Sequence, residues 1–194
     1  MALIHAGIQC EIREILLKDK PAEMLAISPK GSVPVLLLPD ATVLDESLDI
    51  MRWANADHGW LDDEAADRLI ACNDGYFKQH LDRYKYPQRF QSEDDAAFHR
   101  EQAESFLAKL EQALIGQRNL CADQTSIADI AIFPFVRQFA AVEAKHFASL
   151  PFPHLQRWLQ RWLDSDLFSA VMTRHPLWHR GDPATLLIGS RIDE

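Results

Sequence analysis

Residues 32–53 read SVPVLLLPDATVLDESLDIMRW, and the stretch contains two misfits. Pro34 heads a β-rich run, Val33 to Leu38, although proline has no N–H to give a ladder. Glu46 and Ser47 stand where a helix pattern begins, with Leu48, Met51, Trp53 and Ala54 as its apolar residues and His58-Gly59 near its end. Between them, Pro39-Asp40 separates the first run from a second, Thr42 to Leu44, and so short a turn predicts an antiparallel hairpin. The proline makes sense if the Val33–Pro34 bond is cis, because the N–H and C=O of Val33 then turn outward, where an extended peptide can pair with them as an added strand. The plainer alternative is an edge-strand proline. A helix N-terminus favours a carboxylate through its unpaired N–H groups, a serine hydroxyl adds a donor, and a neighbouring glutamate accepts an ammonium. Glu46 and Ser47 together therefore offer what an α-amino-acid head group needs; alternatively, Ser47 is simply a helix cap.

Upstream, Ala2 to Ala6 followed by Gly7 reads as the last turns of a helix with a glycine C-cap. Ile8, Cys10 and Ile12 alternate with Gln9, Glu11 and Arg13, which predicts a half-buried strand over Ile8 to Leu17. Lys18-Asp19-Lys20-Pro21 turns the chain into a short helix, Ala22 to Ala26, closed by Ser28-Pro29-Lys30-Gly31. Residues 1–59 are thus a small α+β domain, and a boundary falls between His58 and Asp63.

Downstream the periodicity is helical only, so residues 63–194 read as an all-α domain and the chain as mostly α. A helix spans Asp63 to about Tyr86 and stops at Pro87. Ser92, with Asp95 three residues on, reads as the cap of a second helix that carries Phe98, Phe106, Leu110 and Leu114 up to Gly116. Ser126-Ile127-Ala128-Asp129 opens a third helix, apolar nearly all round and therefore buried. Leu155, Trp158, Leu159 and Trp162 make one face of a fourth, and Ser165 caps a fifth running to about Arg174.

Composition narrows the function. The chain has 194 residues, 47% hydrophobic and 25% charged, with a net charge of −9, and no Lys/Arg run. Nucleic acid and anionic membrane surfaces are excluded as partners, since both call for a concentrated cationic face. The longest apolar run, VPVLLLP, is far below the roughly 20 residues that cross a bilayer. With no basic-then-apolar leader and three scattered cysteines, Cys10, Cys72 and Cys121, a cytoplasmic protein is expected. No metal is expected: the close pair His175 and His179 is interrupted by Pro176 and has no third ligand nearby.

KDKP, SPKGSVPVLLL, DES at a helix start, and an all-helical second half containing SIADIAIFPFVRQF follow one another in an order that resembles the glutathione transferase family, with an omega-like glutathione site. The resemblance implies a thioredoxin-like N-terminal domain, a helical C-terminal domain, a dimer, and glutathione held in the cleft between the domains. It implies that Val33, beside cis Pro34, pairs its backbone with the cysteinyl unit, and that Glu46 and Ser47 hold the γ-glutamyl end. Lys20 lies where omega-like members place a lysine for the glycyl carboxylate, a task that suits a point cation on a long stem; Lys30 reads as a surface lysine. Asp129 corresponds to the family's capping aspartate, with a structural role.

The implied activity is transfer of glutathione to a small hydrophobic electrophile, or reduction of a mixed disulfide. The family's first strand and the loop carrying its catalytic Tyr, Ser or Cys have no counterpart here, so no catalytic residue is assigned, and the homodimer is expected only if the N-terminal domain is complete. Two accounts are open: Met1 is an internal methionine of a longer chain, or the chain is a shortened relative that binds glutathione or a protein without catalysis. The absent strand would leave the Ile8–Leu17 strand and the hairpin facing a gap. Cys10 is no substitute nucleophile, since its side chain falls on the buried face of its strand.

Overall fold

A computed structural model describes residues 1–90 and 95–187. In chain order the elements are α1 (Ala2–His5), β1 (Cys10–Glu11), α2 (Ala22–Ile27), β2 (Leu36–Leu37), β3 (Val43–Leu44), α3 (Ser47–Asn55), α4 (Glu64–Cys72), α5 (Lys78–Lys85), α6 (Ala96–Ala113), α7 (Ile127–Val142), α8 (Ala144–Ser149), α9 (Pro153–Leu163), α10 (Asp166–Val171) and β4 (Leu186–Leu187). They fall into two compact units. The first comprises residues 1–59 and the described part of 165–194, the second residues 60–164. The segment from Ser165 onward thus groups with the first unit.

In the first unit, α1 packs against α3 and α10, burying Ala2, Ile4, Ile50, Ala54 and Leu167. The helix end before Gly7 is a Schellman motif: the Ile8 amide donates to Leu3 O at 2.9 Å and the Gly7 amide to Ile4 O at 3.0 Å, with Gly7 at φ +67°, a conformation open to glycine at little cost. The hairpin forms as its turn predicts, with Leu36 opposite Leu44 and Leu37 opposite Val43. The Ile8–Leu17 strand shrinks to β1. Burial does alternate from Ile8 to Arg13, but among the described residues the ladder covers Cys10 and Glu11, opposite Leu187 and Leu186, with the Ile12 amide donating to Thr185 O at 2.8 Å and Glu14 and Leu16 making single bridges. A strand extends only as far as a neighbour supplies hydrogen-bond partners. The strand expected to face a gap therefore has β4 along one edge.

The second unit is helix on helix, with α7 packed by α4, α5, α8 and α9. The expected apolar faces are largely buried: Phe77, Leu81 and Tyr84; Phe106, Leu110 and Leu114; Leu155, Trp158, Leu159 and Trp162; Phe98, expected on the α6 stripe, is instead exposed in the helix's first turn. Rings interlock across them, Phe77 with Phe106 at 4.9 Å and Tyr84 with Phe139 at 5.3 Å between centroids. The single helix expected over Asp63 to Tyr86 is interrupted by a π-helical turn, Asn73–Phe77, between α4 and α5. Such a turn inserts a residue into the helical register, and here it brings Asn73 and Phe77 to the buried side. Ser92, read as the cap of α6, lies outside the described residues; Asp95 is the N-cap, accepting from the Phe98 amide at 2.8 Å. The short α8 had no clear periodic signal, and α10 ends at Val171, before Arg174. No helix among the described residues is long and apolar enough to cross a membrane.

Candidate functional site

The residues singled out in the first unit are gathered by one loop, Ser28 to Gly31. Ser28 is buried and its hydroxyl donates to Asp45 Oδ2 at 3.1 Å, which ties the loop to the residue before Glu46. Lys30 Nζ is paired with Glu46 Oε1. Gly31, buried at φ +63°, lies under the stem of Lys20: a Cβ placed there would meet Lys20 Nζ at 3.5 Å and Lys20 Cδ at 3.6 Å. Val33 and Pro34 follow two residues later, so Lys20, the Val33–Pro34 bond and Glu46 are all reached from this one short segment. Each tie is polar or steric and short in range, and that is why the loop holds a defined course with little core beneath it.

The Val33–Pro34 peptide bond is cis, as the placement of the proline predicts. Val33 is 46% exposed, and among the described residues its backbone N–H and C=O have no hydrogen-bond partner. The start of α3 differs from an ordinary cap. Glu46, not Ser47, holds the N-cap position, in extended backbone at φ −115°, ψ 137°, and no side chain caps the helix. Ser47 is the first helical residue, exposed, with its hydroxyl unpartnered among the described residues. The first N–H groups of a nine-residue helix thus remain as orphan donors at its positive end. Lys30, read from sequence as a surface lysine, is half exposed but engaged with Glu46. Lys20 makes no ion pair among the described residues.

Two of the three free cysteines are disfavoured as nucleophiles. Cys10 lies in β1, half-buried and free, and burial pushes its thiol pKa up. Burial pushes the Cys121 thiol up as well, with the charges of Asp129 and Asp63 adding to the effect against a hydrogen bond from Ser126. Both shifts disfavour the nucleophilic thiolate. No group of three or more His, Cys, Asp or Glu side chains suited to a metal ion occurs among the described residues.

In the second unit, Ser126 and Asp129 form a reciprocal capping box at the start of α7. Ser126 N and Oγ donate to Asp129 Oδ2 at 2.9 and 2.5 Å, and Asp129 N donates back to Ser126 Oγ at 3.3 Å. The sequence pattern missed two further donors to Asp129 Oδ1, Leu120 N at 2.9 Å and Trp158 Nε1 at 2.8 Å. Burial pushes the Asp129 carboxyl up, and these hydrogen bonds oppose it. This cluster is closed on itself and fully buried, so it is structural.

A family model described as "Glutathione S-transferase, N-terminal domain" matches residues 1–57, and one described as "Glutathione S-transferase, C-terminal domain" matches residues 55–161. No curated protein matches the chain. Among solved structures, a glutathione transferase from Pseudomonas putida, with one glutathione disulfide bound per subunit, is 20% identical at TM-score 0.72, covering 87% of this chain and 82% of its own. A glutathione transferase family member from Pseudomonas fluorescens, with two glutathione bound, is 19% identical at TM-score 0.71, covering 85% of this chain and 82% of its own. A glutathione S-transferase from Methylobacillus flagellatus, with glutathione bound, is 21% identical at TM-score 0.70, covering 87% of this chain and 89% of its own. At such identities these likenesses establish the fold. With both domain models matched in chain order, the chain belongs to the glutathione S-transferase family, its first unit thioredoxin-like and its second the family's helical domain.

Proposed function

We propose that the first unit binds glutathione, using Val33, Pro34, Glu46, Ser47 and Lys20. The observation that carries this reading is the open start of α3. An exposed serine stands at its first position, a glutamate at its N-cap, and its amide donors are left without a side-chain cap. The γ-glutamyl carboxylate takes the amides and hydroxyl at Ser47, and its ammonium takes Glu46. The cysteinyl backbone pairs with the exposed N–H and C=O of Val33 in the manner of an added strand. Lys20, seated on Gly31, supplies a cation for the glycyl carboxylate. That relatives of the same fold carry glutathione supports the choice of ligand.

The activity that follows is transfer of glutathione to a small hydrophobic electrophile or reduction of a mixed disulfide, in the cytoplasm, and as a homodimer if the N-terminal domain is complete. Three free cysteines suit a reducing compartment. A second reading, a glutathione-binding or protein-interaction module without turnover, is favoured by the side chains gathered near the site, Lys20, Lys30 and Glu46, none of which is a thiol or a phenol. Retention on immobilised glutathione, beside conjugation and disulfide-reduction assays on the same protein, separates the two. Retention with turnover supports the transferase, and retention without it supports the module. Absence of retention overturns both.

A further inference from the structure

Resting on that glutathione reading, we infer that Lys30 is a built-in competitor for the ligand's ammonium at Glu46, and so sets how strongly the site selects γ-glutamyl groups that carry a free α-amino group. The Lys30–Glu46 pair joins residues 16 apart in sequence, and the backbone on both sides of it is tied down. Ser28, buried, donates to Asp45, the neighbour of Glu46. The Gly31 amide closes the loop onto Ser28 O at 3.0 Å, and Gly31 supports the stem of Lys20. The loop therefore holds the backbone of Lys30 within reach of Glu46.

The site then presents a neutral pair at the position where an anionic acceptor would greet an ammonium. A carboxylate has acceptor capacity for more than one donor. A second cation nevertheless either displaces Lys30 or sits against it, and both outcomes weaken binding of the amino group. A peptide without that amino group leaves the Lys30–Glu46 pair undisturbed. Because the lysine and glutamate side chains are 47% and 59% exposed, the competition is modest, about two- to fivefold in affinity, as for other exposed ion pairs.

The test is a calorimetric titration of wild type, Lys30→Gln and Lys30→Arg with glutathione and with its des-amino analogue, glutaryl-cysteinyl-glycine. Lys30→Gln is expected to bind glutathione about two- to fivefold more tightly, and its preference for glutathione over the analogue should rise by a similar factor. Lys30→Arg, which keeps the charge, should match wild type, and 1 M salt should draw wild type and Lys30→Gln together. Glutathione affinity that is unchanged or weaker in Lys30→Gln, with wild type still binding, overturns this inference and leaves the glutathione reading standing. Wild type that binds neither peptide overturns both.

Discussion

The starts of α3 and α7 carry a serine apiece and resemble each other in sequence, but the structure builds them in opposite ways. At α7 the donors are largely answered from within: Asp129 accepts from the Ser126 amide, the Leu120 amide and the Trp158 indole, and the Ile127 amide donates to Leu61 O at 2.8 Å. At α3 no side chain caps the helix, the serine is exposed, and the N-cap glutamate is paired with Lys30. The α9 start is closed as well, by a residue from another helix. Buried Glu111 of α6 accepts from the Leu155 amide at 2.7 Å, the His154 amide at 3.2 Å and the His154 ring at 2.6 Å. A closed helix start holds the fold together, whereas an open one leaves donors for a ligand. The two kinds should therefore separate under mutation into stability and affinity.

The largest effect is expected at Asp129. Asp129→Ala removes the cap of α7 and strands buried donors on Leu120, Ser126 and Trp158, and should cost about 3–5 kcal/mol in urea unfolding. A cap alone would cost about 1 kcal/mol, so a loss that small would mean that the Leu120 and Trp158 bonds carry little.

Glu111 comes next. Burial raises its carboxyl pKa, but the hydrogen bonds from Leu155 and His154 outweigh that and leave it below the ordinary 4.5. With the folded value depressed, its stabilising contribution is present above pH 4.5 and is lost as pH falls through the folded pKa. Glu111→Gln should cost about 1–3 kcal/mol at pH 7. Its stability should also fall less steeply than wild type below pH 4.5, as followed by thermal unfolding across pH.

In the first unit, Ser28→Ala loses a single hydrogen bond to Asp45 and should cost about 1 kcal/mol. Because the loop that carries Lys30 is then held less firmly, it should also alter glutathione affinity. The smallest effect is expected at Arg68, which pairs with Glu64 on the surface of α4 with 66% and 86% of the side chains exposed. Arg68→Ala should change unfolding by no more than about 0.5 kcal/mol and leave glutathione binding untouched.

Much of this is legible in the sequence. Pro34 suggests a cis bond but fits an edge strand as well, and only the backbone decides for cis; the Pro39-Asp40 turn points to the hairpin. The Ser126–Asp129 box and the stripe of α9 follow from spacing alone, since both ends of each interaction lie on one helix. What escaped the sequence depends on partners far apart in the chain. Cys10 pairs with Leu187, Trp158 reaches Asp129, and Glu111 reaches His154; no local period encodes any of them. The π-helical turn at Asn73–Phe77 keeps an apolar stripe that reads as ordinary α-helix, with only Gly75 inside it as a hint. At the site, sequence singled out Glu46 and Ser47 but left open whether Ser47 was a cap. Only the backbone at Glu46 places the cap one residue earlier. Lys30 was passed over because a lysine in a surface loop gives no sign of which carboxylate it will meet.

The central claim, that the open start of α3 is a ligand site and the closed start of α7 is not, is tested most directly by titrating Ser47→Ala with glutathione and measuring its thermal unfolding. Ser47→Ala should lose about tenfold in affinity, equivalent to about 1.4 kcal/mol, with stability within about 0.5 kcal/mol of wild type. Unchanged affinity, or a loss of stability comparable to that expected for Asp129→Ala, would contradict it.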